Sequence, residues 1–224
     1  MTVLLSLVLA LAAPSVAQAQ DTIDLGVLKN SDIKVVQKQL FPKTGRSELG
    51  IHVGWMPFDA FSTTPVAAVS WGTFLSETLG WEVVLAGGYG LKTSTFKELE
   101  GPLYGVSPNA YRYLGGVTVD AQWSPIYAKM SFGGAKVVHY DVYGLLGGGF
   151  SVEDSMTLPD LEIAPAPGAV VGVGSRFFLN KDAALRVQWR DDMLVEIRTP
   201  TTGDMHLRHA MSVSVGYTML SKVK

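Results

Sequence analysis

Residues 209–220 read HAMSVSVGYTML, and the stretch alternates almost without a break. Successive side chains of a strand point to opposite sides, so Met211, Val213, Val215, Tyr217 and Met219 share one face, and Ala210, Ser212, Ser214, Gly216 and Thr218 share the other. A soluble sheet clothes its wet face in Lys, Glu and Thr. Here the polar face is made of very small groups, which suits a crowded interior, and the large apolar face is left to meet something other than water.

Seven further segments of roughly ten residues carry the same period. SELGIHVGWM sets Leu49, Ile51, Val53 and Trp55 against Glu48, Gly50, His52 and Gly54. VAAVSWGTF and GWEVVLAGGY follow, joined by the short LSETL. RYLGGVTVDAQW sets Tyr113, Val117, Val119, Ala121 and Trp123 against Arg112, Gly116, Thr118, Asp120 and Gln122. VVHYDVYGLLGGGF is ambiguous in its facing, while AVVGVGSRFFL and AALRVQWRDD are joined by a tight NKD turn. No helical period interrupts the series after Ser47. The pattern predicts an all-β chain over residues 47–220: an eight-stranded, antiparallel, up-and-down transmembrane β-barrel with no helices covering it.

The choice of inside and outside follows from size and charge. Charged residues make up 17% of the chain and hydrophobic ones 47%, against roughly 25% charged in soluble domains. The Gly-, Ala-, Ser- and Thr-rich faces also carry Glu48, His52, Glu82, Arg112, Asp120, Arg176, Arg186, Arg190, Asp192 and Arg208. Such a mixture fits a narrow lumen where buried charges must pair. Heights along the strands group Glu48, Glu82, Asp120, Arg176 and Arg186 toward the periplasmic half, and Arg112, Arg190, Asp192 and Arg208 toward the external rim. Paired charges there predict a plugged barrel. Trp55, Trp71, Trp81, Tyr89, Tyr113, Trp123, Trp189 and Tyr217 are expected at the membrane interfaces, on the opposite, apolar face.

Connection lengths give orientation. With the first strand rising from the periplasm, the links at 92–111, 151–168 and 194–206 are long and external, and those after strands two and six are short. The exception is 124–136, long on the short side: either partly strand or a periplasmic contact element. Residues 1–19 form an export signal, with an apolar run over 3–13 and a small-x-small site at 17–19, although no Lys or Arg precedes the run. Residues 20–46 form a periplasmic extension in which Ser31 and Asp32 cap a short amphipathic helix through Leu40. Its Ile33, Val36 and Leu40 stripe either packs on a partner or closes the lower mouth.

Chemistry-bearing motifs are weak. The absence of cysteine removes disulfides, thiol catalysis and Cys-ligated zinc, and a net charge of −2 offers no field for nucleic acid. GLLGGGF and GVGSR open no helix and lack a phosphate-loop lysine. His206 and His209 fall on opposite faces of a strand, and His52 reads as a hydrogen-bonded lumen residue. Ser62, Asp204 and His206 match no recognisable catalytic motif. No catalytic, cofactor-binding or metal-ligating set is assigned, and no cofactor is expected.

Four motifs carry a resemblance over residues 35–217: GRSELG opening the first strand, WSPIYAK after the fourth, YDVYGLLGGGF, and GSRFFLNKDAALRVQWRDD across strands six and seven. With these the chain resembles the outer-membrane β-barrel domain proteins of myxobacteria and related deltaproteobacteria. The resemblance implies a small barrel, and for some members a place in the outer-membrane part of a gliding motility machinery. One departure is the tail TMLSKVK after Tyr217, where such barrels finish on an aromatic. The expected function is a noncatalytic barrel in the outer membrane of a Gram-negative bacterium. It would dock envelope proteins and contact outer-membrane lipid and lipopolysaccharide; a lipid-modifying barrel enzyme and a small passive channel are the alternatives.

Overall fold

The computed structural model describes residues 41–132, 136–157, 163–197 and 205–222. The export signal and the amphipathic helix expected up to Leu40 lie outside the described residues. Eight long strands form the wall: β1 (Ser47–Met56), β2 (Ser62–Phe74), β3 (Leu79–Gly88), β5 (Tyr111–Phe132), β6 (Lys136–Ser155), β7 (Ile163–Asn180), β8 (Ala183–Ile197) and β9 (Met205–Leu220). Each pairs antiparallel with its neighbours, and the β1–β2 and β1–β9 pairings close the ring. Closure leaves the wall without an unpaired edge, which a strand in lipid cannot tolerate; below it β5 runs on past β3 to Phe132, paired with β6.

The pairings also fix the stagger. From Gly50 they run through Ser70, Val84, Thr118, Gly149, Gly168 and Leu194 to Arg208, whereas Gly50's direct partner on β9 is Thr218, ten residues away. A stagger of that size on eight strands goes with a tilt of roughly 35 to 45° and an interior just wide enough for side chains.

One expectation left open is decided and two others are corrected. The segment 124–136 is largely strand: β5 and β6 remain paired to Phe132 and Lys136, past a bulge between Trp123 and Ile126 that accommodates Pro125. The external link after β3 holds a two-residue strand, β4 (Leu91–Lys92), on Ser62 and Thr63, and a short helix, α1 (Ser94–Glu100). Thr93 caps α1 by accepting a hydrogen bond from the Phe96 N–H, and Phe96 is fully buried against Phe61, Ala110 and Met156. Seven residues with one apolar anchor are too few to show a helical period. Six of the eight strands are also longer than ten residues, β5 reaching 22 and β6 reaching 20.

The inside of the barrel is layered. Met56, Tyr113, Ala166, Leu194 and Ala210 form an apolar layer toward the external end. Phe74, Phe178, Ala184 and Leu220, with Phe41 and Tyr127, form another at the periplasmic end. Between them lie the charges.

Candidate functional site: the lumen and its periplasmic mouth

The lowest charged tier is built on Arg176 of β7. Its guanidinium takes Glu48 of β1 through two bonds of 3.0 and 2.8 Å, Asp141 of β6 at 2.9 Å and Gln122 of β5 at 3.1 Å. Just above, Arg186 of β8 donates to both oxygens of Glu82 at 2.8 and 3.1 Å, to the Tyr143 hydroxyl at 3.0 Å and to Gln188 at 2.9 Å. Both guanidinium groups lie over the Tyr143 ring, at 5.1 and 5.0 Å from its centre. Bidentate geometry is what lets ion pairs survive without water.

Arg190 organises the middle tier, donating to Asp192 at 2.7 Å, Asp120 at 2.8 Å and Thr118 at 2.6 Å. At the external rim Arg208 joins Glu153 and Glu196 and reaches Asp59 of the β1–β2 loop. His52 is held by Ser70 at 2.8 Å. Glycines opposite the bulkiest groups make this packing possible: a Cβ at Gly174 would stand 2.4 Å from the Tyr143 ring, and one at Gly216 would stand 2.1 Å from the His52 ring.

Of the ten inward charges read from the sequence, nine lie in the lumen and one does not. Arg112 donates to Asp154 and, at 2.6 Å, to the Tyr89 hydroxyl, outside the barrel. The cause is a bulge between Tyr113 and Gly115, which inserts one residue and inverts the alternation beyond it. The same bulge corrects Tyr113, expected at the membrane interface: its side chain is 1% exposed and roofs the lumen. Asp120, level with Glu82 on the neighbouring strand, pairs across the two height groups with Arg190.

Lumen residues not singled out by sequence include Asp141, Tyr143, Gln188, Glu153 and Glu196. Asp141 and Tyr143 sit on β6, whose two faces are equally mixed. Glycines fall on both faces, at 144 and 148 as well as at 147 and 149, so the sequence of β6 does not mark its inward side.

The periplasmic mouth is stoppered by the chain's own residues 41–46, an arrangement with no sequence signal beyond two basic residues. Phe41 stacks on Phe178 with ring centres 5.1 Å apart. Lys43 passes its ammonium inside to Asp141 at 2.7 Å. Arg46 donates to the carbonyls of Lys181, Leu220 and Ser221 and to Asp182, tying the β7–β8 turn to the end of β9. Gly45, at φ +72°, makes the turn between them. Glu77, in the β2–β3 turn, accepts from the backbone N–H groups of Lys43 and Thr44 and from the Thr44 hydroxyl at 2.7 Å. Burial raises the Glu77 carboxyl, but these bonds and the Lys43 charge together hold it below the usual carboxylate range. Burial pushes the Lys43 ammonium below the usual lysine range, against the pull of Asp141.

Between the tiers remains a cavity of about 50 Å³, lined by His52, Ser70, Glu82, Gln188, Ser212 and Ser214 among others. That is room for roughly three or four waters.

The outer wall is the converse of the lumen. Leu49, Ile51, Val53, Val69, Leu85, Val119, Leu146, Val173, Val213 and Val215 are all exposed. Following the stagger, Trp71, Trp81, Trp123 and Tyr217 lie close to one level, with Trp71 and Trp81 edge to face at 5.2 Å. Trp55, Phe150 and Tyr89 mark the upper border. Trp189 belongs to neither ring: it sits at mid-wall between Val173 and Val213.

A closed antiparallel ring with an apolar exterior bounded by aromatics and a polar interior decides the architecture. The fold is that of a small outer-membrane β-barrel.

Comparison with known proteins agrees. OprG of Pseudomonas aeruginosa is similar in structure, with a TM-score of 0.51 and 12% identity over 82% of this chain and 99% of that chain. The N-terminal barrel domain of Pseudomonas aeruginosa OprF (TM-score 0.46, 8% identity, 80% and 98% of the two chains) and Ail of Yersinia pestis (0.46, 14%, 80% and 99%) are also similar. The likeness is one of fold. No protein-family model and no curated protein matches the sequence.

The remaining sequence candidates do not assemble on this outer-membrane barrel. Ser62 is buried with its hydroxyl on Asp59 at 3.1 Å, and His206 is at the exposed external end of β9, opposite Glu196. Asp204 lies outside the described residues. Among the described residues no group of three or more His, Asp or Glu is arranged to hold a metal ion.

Proposed function

We propose that this chain is a noncatalytic barrel, resident in the outer membrane of a Gram-negative envelope, that serves as a docking component for other envelope proteins. The observation that carries the reading is the filled lumen. Among the described residues, charged tiers, two apolar layers and the 41–46 stopper fill most of the lumen, which favours docking over the channel alternative. What the barrel offers partners is at its two ends. Outside, the loop after α1 exposes Leu103, Tyr104 and Val106. On the periplasmic side, residues 41–46 are rooted in the mouth through Lys43 and Arg46, and the extension expected before them is the segment a partner would hold. The resemblance to the myxobacterial barrels favours a motility-related assembly as the setting.

The test is a deletion of residues 21–40 that keeps Phe41 onward. The variant should assemble normally in the outer membrane and lose co-purification of an envelope protein. A deletion strain that keeps all its partners would overturn the docking role, as would steady conductance or lipid A deacylation by the purified protein.

A further inference from the structure

Below the Arg112–Asp154 pair at the external rim, the lipid-facing wall carries one ionisable pair among the described residues, a polar notch. Asp191 of β8 and His209 of β9 both project outward, and the ring Nδ1–H donates to Asp191 Oδ2 at 2.8 Å. The other outward positions between the lower aromatic ring and the level of Tyr89 are apolar residues, Gly, Pro, Ser or Thr among the described residues. An ionisable pair in such a wall is expensive, and any two aliphatic residues would serve the fold better; its presence points to use.

The two residues divide the work. The Asp191 side chain is 7% exposed, walled in by Val171 and Met211 on the neighbouring strands, whereas that of His209 is 48% exposed. With Nδ1 engaged, the second ring nitrogen is the polar atom the notch presents to the bilayer. The strand stagger sets His209 level with Tyr89 and above Trp55 and Phe150, at the external border of the apolar band. Lipid phosphates lie at that depth. In its protonated form the ring offers a charge-assisted Nε2–H donor, and Asp191 fixes its orientation.

We propose that His209, positioned by Asp191, binds a phosphoryl group of an outer-leaflet glycolipid. The inference rests on the reading of this wall as facing the outer leaflet, and is independent of any protein partner.

The test uses the full mature chain refolded in a phosphate-free maltoside detergent, with the midpoint of the heat-induced mobility shift followed as lipid is added. Bisphosphorylated lipid A should raise the midpoint of the natural protein; the same lipid stripped of its phosphates, or inorganic phosphate alone, should not. His209→Leu, which suits a lipid wall and should fold, is expected to weaken the response roughly tenfold or more. His209→Arg should restore it. A response kept by His209→Leu, or given equally by dephosphorylated lipid, overturns the site; one given by inorganic phosphate overturns the lipid assignment. A protein with no heat-sensitive mobility at all would instead overturn the membrane reading beneath it.

Discussion

Arg176 and Glu48, 128 residues apart in the chain, are joined by two hydrogen bonds across the lumen, and both side chains are almost wholly out of contact with solvent. Removing one partner leaves the other's paired bonds unmade in a lumen with little room for water. Arg176→Met or Glu48→Met should therefore cost about 3 to 5 kcal/mol, while the double replacement should recover much of the loss. Denaturant unfolding in lipid vesicles measures all three. Single variants as stable as the natural protein would show that the lumen is wetter than its geometry implies.

The two faces of one strand should respond differently. Val215→Arg or Val119→Arg on the wall should cost about 2 to 4 kcal/mol near the bilayer midplane. Ser214→Thr should cost less, because Ser214 lines the lumen cavity and its extra methyl has space. Equal sensitivity of both faces would reverse the assignment of inside and outside.

Ring closure through β1 and β9 predicts kinetic resistance to detergent. The mature chain should fractionate with the outer membrane and migrate differently on a denaturing gel before and after boiling. Recovery in the soluble periplasmic fraction would contradict the architecture.

The Glu77 clamp on residues 43–44 gives a pH dependence. Its folded carboxyl is held below the usual range, so its contribution is present above the ordinary carboxylate pKa and is lost as pH falls through the depressed folded value. Solvent screening keeps the effect small, because Glu77 is only partly buried. Limited proteolysis near residue 43 should rise at acid pH, and Glu77→Gln should raise it at neutral pH. Cleavage that ignores both would leave the clamp without a role.

Glycine opposite Tyr143 is a steric requirement. Gly174→Val should displace the ring on which Arg176 and Arg186 rest and destabilise the barrel by more than about 2 kcal/mol. Near-normal unfolding would mean that Tyr143 has an alternative seat.

The alternation in residues 47–56, in 209–220 and in the six segments between them was enough to establish strands, their number and the side facing lipid, because a period of two leaves a strand between two solvents no other arrangement. Most lumen charges were legible for the same reason. Tyr113 and Arg112 were not: a one-residue bulge at Leu114 reverses facing locally, and nothing in the composition of RYLGG marks which residue is extra. Trp189 reads like an interface residue until the ten-residue stagger of the whole ring sets its level at mid-wall. Nor do the partners follow from sequence. Arg190 meets Asp120, Lys43 enters the mouth to reach Asp141, and His209 lies beside Asp191, because register between distant strands, cumulative around a closed ring, decides which inward or outward groups share a level. Local periodicity determines the face of a residue; only closure of the barrel determines its height and its neighbours.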